Sequence, residues 1–80
     1  MTDNYSGDWC DDKRQGQGRC VFDNGDEYEG SWHSDVRVGL GVCKFENGDV
    51  YDGHWHNDTR AGKGKQAYHN GERYDGDWCN

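Results

Sequence analysis

Tyr-x-Gly-x-Trp occurs four times, opening at Tyr5, Tyr28, Tyr51 and Tyr74, each 23 residues after the last. A fixed period of this length is the signature of a repeat array, in which each unit buries its apolar surface only against its neighbours. Residues 5–27, 28–50 and 51–73 are full periods, 74–80 is a partial one, and 1–80 reads as a single small domain. Further columns recur within each period. They are Asp12/Asp35/Asp58, Arg14/Arg37/Arg60, Gly16/Gly39/Gly62, Gly18/Gly41/Gly64, an aromatic column Phe22/Phe45/Tyr68, and Asn24-Gly25/Asn47-Gly48/Asn70-Gly71.

The spacing of these columns selects β structure. Tyr28, Gly30 and Trp32, like Tyr51, Gly53 and Trp55, stand at i, i+2 and i+4, so they share one face of a strand. Asn-Gly is a strong hairpin signal. A two-residue loop at Asn24-Gly25 would put Phe22 on the face opposite the Tyr/Trp set. A three-residue loop, Asp23-Asn24-Gly25, instead pairs Phe22 with Asp26, Cys20 with Tyr28, Gly18 with Gly30 and Gly16 with Trp32. All large rings then share a face, so this loop is expected, with Gly25 and Gly48 left-handed. At the other turn, Asp11-Asp12 as a two-residue loop would pair Trp9 with Arg14, Gly7 with Gly16 and Tyr5 with Gly18. Arg14, Arg37 and Arg60 are then expected to stack on Trp9, Trp32 and Trp55. Glycines at Gly39 and Gly41 are expected to leave room for rings leaning in from neighbouring strands. Seven or so sequential antiparallel strands and no long helix follow.

Composition limits function. Apolar burial must come mostly from four Trp and five Tyr residues, since mean hydropathy is −1.40. A formal charge of −7 opposes nucleic acid or anionic lipid as a general partner. Met1-Thr2-Asp3-Asn4 is polar and acidic, so no secretory signal is expected, and no apolar run approaches a membrane span. The expected setting is intracellular, cytoplasmic or cytoskeleton-associated, with thiols rather than disulfides. Cys20 and Cys43 would lie two strand spacings apart, roughly 9–10 Å, too far for a bond.

This pattern resembles the MORN (membrane occupation and recognition nexus) repeat, carried here by Tyr28, Gly30, Trp32, Gly39, Gly41 and Gly48 and their equivalents over nearly the whole chain. The family often has glycine after the tryptophan where this chain has Asp12, Asp35 and Asp58. The resemblance implies an all-β fold, an elongated single-layer antiparallel meander of hairpin repeats. It also implies a non-catalytic module tied to membranes and phosphoinositides, to cytoskeletal assemblies or to homodimerisation.

The face opposite the rings changes along the chain. Repeat one shows Lys13, Gln15, Gln17, Arg19 and Val21, and repeat three Thr59, Ala61, Lys63, Lys65 and Ala67. Repeat two shows Val36, Val38, Leu40 and Val42. Four aliphatics on one outward strand face suggest a protein interface, although β-propensity alone also favours valine there. His54 and His56 flank Trp55 on the same face, opposite Leu40 and Val38, and are expected at its rim. No acid or thiol completes a metal site with them, and no catalytic residue or cofactor is expected. The expected function is a structural or adaptor module binding a protein partner or a second copy. Phosphoinositide or membrane association is the alternative, through Lys63, Lys65, Lys44 or Arg73.

Overall fold

The computed structural model describes residues 4–78, which form one antiparallel sheet of seven strands in sequence order. The strands are β1 (Asn4–Cys10), β2 (Lys13–Val21), β3 (Glu27–His33), β4 (Val36–Lys44), β5 (Val50–His56), β6 (Thr59–Ala67) and β7 (Arg73–Trp78). The sheet stays open, with β1 and β7 as its edges, and measures 39 × 26 × 17 Å.

The Asn-Gly hairpins have the three-residue loop that ring placement requires. Phe22 N–H donates to the Asp26 carbonyl (2.8 Å) and Gly25 N–H to the Phe22 carbonyl (3.0 Å). Cys20 pairs with Tyr28, Gly18 with Gly30 and Gly16 with Trp32. Gly25 and Gly48 both have φ of +99°, the left-handed conformation that glycine adopts without a Cβ penalty. Successive loops are tied together, because Asp26 Oδ1 accepts from Glu46 N–H and Asp49 Oδ1 from His69 N–H, each at 2.8 Å.

The other hairpin departs from the simple register. Ser34 and Asp35 have φ of +48° and +71°, and Trp32 pairs with Arg37 across this two-residue turn. Beyond it the ladder slips by two residues. Trp9 faces Arg14, but Gly7 faces Gly18 rather than Gly16, and Tyr5 faces Cys20 rather than Gly18. Asp8 alone therefore spans the stretch opposite Gln15, Gly16 and Gln17. The slip recurs at Gly39 and Gly62, and the bulge glycines Gly16, Gly39 and Gly62 have φ of +86°, +64° and +57°. A slip of one residue would turn every side chain over, whereas a slip of two preserves the faces. The large rings accordingly remain on one side, termed the front.

The core is a row of rings on that front face. Cys20, Tyr28, Trp32, Cys43, Tyr51 and Trp55 are at most 5% exposed. Tyr and Trp alternate edge-to-face along the array: Tyr28 meets Trp32 at 5.1 Å and Trp55 at 5.3 Å, and Tyr51 meets Trp55 at 5.2 Å and Trp78 at 5.3 Å. The two buried indoles are hydrogen-bonded as well. Trp32 Nε1 donates to the Gly18 carbonyl and Trp55 Nε1 to the Gly41 carbonyl, both at 3.1 Å.

The two glycine columns do different work. A Cβ at Gly41 would fall within the Tyr28 ring, as one at Gly18 would within Tyr5 and one at Gly64 within Tyr51. A Cβ at Gly39 meets no ring, and its nearest neighbour is Ser31 Cβ at 3.5 Å. The expectation of a ring over glycine thus holds for Gly41, whereas Gly39 is required by its positive φ.

Candidate interaction surface

The back of the sheet carries the aliphatic strip. Leu40 is 62% exposed, and Val36, Val38 and Val42 are half-buried. Strand pairing places Leu40 opposite His54, Val42 between Glu29 and Asp52, and Val36 opposite His33. The β4–β5 ladder begins at Gly39–Trp55, so Val38 and His56 stand just past its last rung. Both His54 and His56 are exposed.

The neighbouring repeats fill the Leu40 position with paired polar groups, Gln17 and Lys63, and carry further polar residues at the positions flanking it. In repeat one Gln17 Nε2 donates to Ser31 Oγ (2.7 Å), and Gln15 shares a hydrogen bond with His33 Nδ1 (2.9 Å). In repeat three Lys63 Nζ meets Asp77 at 2.9 Å, and that contact raises the lysine pKa. Lys65 lies between Asp52 and Asp75 in the ladder. Arg19 is paired with Glu27. A shallow depression of about 430 Å³ runs from Leu40 past His54 to Lys63 and Lys65.

The arginines of the front face stack on tryptophan, but not on the expected one. Arg14 lies over Trp32 at 4.4 Å, Arg37 over Trp55 at 4.5 Å and Arg60 over Trp78 at 4.7 Å, in each case the indole of the following repeat. The stack forms at Arg60 with Gln66, not an aspartate, as the hydrogen-bond partner, and for Arg14 and Arg37 the Asp35/Asp58 column reinforces it. Asp35 Oδ1 takes hydrogen bonds from Arg14 N–H and Nε, and Asp58 does the same for Arg37, clamping each guanidinium from the next repeat. These contacts hold the Asp35 carboxyl below the usual carboxylate range, the Arg14 backbone N–H being the larger cause and its side chain the next. The aspartate standing where the family often has glycine is thus an inter-repeat link. The signal was present in the sequence as two fixed columns of opposite charge.

Among the described residues no group of three or more His, Cys, Asp or Glu is arranged to hold a metal. Cys10, Cys20 and Cys43 are thiols, and burial pushes the Cys43 thiol up to about 11. No described helix exists that could cross a membrane.

The MORN repeat family model matches residues 5–27, 28–50 and 51–73. The chain belongs to the MORN repeat family. MORN repeats are non-catalytic modules that mediate protein interaction or membrane association. A search of curated proteins found no match.

Proposed function

We propose that this MORN array is an adaptor that binds protein through the back of β4 and β5, in an intracellular setting. The observation that carries this reading is Leu40. It is a large aliphatic, 62% exposed, on a central strand whose equivalents are a hydrogen-bonded glutamine and an ion-paired lysine. Covering that exposed part would contribute about 1–2 kcal/mol. Val36, Val38 and Val42 extend the apolar centre, while His54, His56, Glu29 and Asp52 supply a polar rim, the usual interface arrangement.

Membrane association is the weaker reading. Of its candidate cations, Lys63 is paired with Asp77 and Lys65 lies between two aspartates, against a net charge of −7. The test is the double change Val38→Ser with Leu40→Ser. Circular dichroism should match the parent, while self-association in sedimentation, or capture of a partner bound by the parent, should be lost. Retention of both, or binding to phosphoinositide vesicles that survives the double change, would overturn the proposal.

A further inference from the structure

Polar groups are sorted by position around the aliphatic strip of β4. At one end Val42 lies between Glu29 of β3 and Asp52 of β5 in the ladder. Both carboxylates are exposed, and among the described residues neither makes a hydrogen bond or an ion pair. At the other end stand His33, opposite Val36, and His56, level with Val38 just past the last rung.

These two histidines are set as donors. Ser34 N–H donates to Gln15 Oε1 (3.1 Å), which turns Gln15 Nε2 onto His33 Nδ1 (2.9 Å). Nδ1 therefore accepts, and the proton of the neutral ring is on Nε2. His56 Nε2 lies 3.3 Å from Asn57 Nδ2, an amide donor, which leaves Nδ1 to carry that ring's proton. Acceptors thus flank one end of the strip and donors the other, with exposed Leu40 between them.

We propose that the strip docks a second copy of this chain, back to back, about a two-fold axis that crosses β4 at Leu40. This rests on the strip being the docking surface. The axis lays β4 antiparallel on its own copy. Leu40 then meets Leu40, and Val42 meets Val38, Glu29 meets His33 and Asp52 meets His56, each of these pairs formed twice. Imidazole N–H donates to a carboxylate, most strongly when the ring is protonated. His54, level with Leu40, meets its own copy, as does Lys63, which Asp77 already neutralises at 2.9 Å. A two-fold running along β4 instead puts Glu29 on Asp52 and His33 on His56, like on like, so the pattern selects the crossing axis. Sheets packed face to face keep their strands within about 30° of aligned. The 39 × 26 Å face has room for the roughly 800 Å² that each partner contributes to a stable interface. A charge of −7 on each copy opposes approach, so the dimer is a weak one.

Sedimentation over the micromolar to millimolar range reads the association, with circular dichroism confirming the fold of each variant. Glu29→Lys and His33→Asp each place like charges in contact twice, and each alone should weaken the dimer about tenfold or more. An equimolar mixture of the two variants, one carrying a fluorescent label at its amino terminus, should associate as the parent does. In the mixed dimer the introduced lysine of one chain faces the introduced aspartate of the other, and the second contact is again Glu29 with His33. A parent that stays monomeric throughout would overturn the proposal and leave the strip as a surface for a foreign protein. A dimer that Val38→Ser with Leu40→Ser dissociates, but that the mixture does not restore, would overturn the crossing axis alone. A dimer that survives Val38→Ser with Leu40→Ser would remove the strip as the docking surface as well.

Discussion

Gly41→Ala is the sharpest test of how this sheet builds a core on one side. Gly41 has no positive φ, so alanine brings no backbone strain, and its added methyl would fall inside the ring of the fully buried Tyr28. The ring has to move. Overpacking of this kind costs about 1–3 kcal/mol. Displacement also threatens the bond from the Tyr28 hydroxyl to the Ser31 carbonyl (3.0 Å), worth about 1 kcal/mol, and the edge-to-face contacts with Trp32 and Trp55 at about 0.5–1.5 kcal/mol each. Alanine returns about 0.4–1 kcal/mol by restricting the unfolded chain. The net expectation is a loss of about 2–4 kcal/mol, or about 8–30 °C in Tm for a domain of this size. Gly76→Ala is the control, since its Cβ would stand 3.2 Å from the hydroxyl of Tyr74, which is 42% exposed and can swing out. It should change stability by under about 0.5 kcal/mol. Thermal and urea unfolding followed by circular dichroism and tryptophan fluorescence measure both. Equal midpoints for the two variants would refute the reasoning, as would an undiminished cost of Gly41→Ala in a Tyr28→Ala background.

The companion glycine should behave differently. Gly39→Ala is expected to cost about 1–2 kcal/mol through its φ alone, and Gly39→Asn clearly less, because asparagine tolerates the left-handed region; at Gly41 asparagine should bring no such relief. Burial raises the Tyr28 hydroxyl pKa to about 12, against about 10 in an unfolded chain. Between those values the unfolded state has lost a proton that the native state keeps, so stability should hold below pH 10 and fall as pH rises toward 12, with Tyr28→Phe flattening that decline in urea midpoints. Alkylation at pH 8 with peptide mapping should label exposed Cys10 first and Cys43 only upon unfolding, since the Cys43 thiol is buried and its pKa raised to about 11. Labelling of both at similar rates in the folded protein would contradict the buried placement.

The sequence determined the parts of the fold that depend on local spacing. The 23-residue period gave the strands and their order, and a parity argument settled the Asn-Gly loop, because only one loop length puts Phe22 beside Trp32. Gly48 was legible for the same local reason. The aliphatics of β4 stood out against the polar residues of the other repeats, although exposure of Leu40 became a quantity only in the folded sheet. The register past Asp12 and Asp35 was not legible. A two-residue slip keeps every side chain on its face, so hydrophobic patterning carries no trace of it, and Gly16 and Gly39 read equally well as ring-accommodating glycines. The arginine partners were hidden for a related reason. Strand pairing puts Arg14 beside Trp9, but its guanidinium lies over Trp32 of the other neighbouring strand, where Asp35, 21 residues away, also holds it, and Arg60 chooses Trp78 in the same way. Such a choice lies between two neighbours on opposite sides of one strand, and only the tertiary structure, where both compete for the same side chain, resolves it.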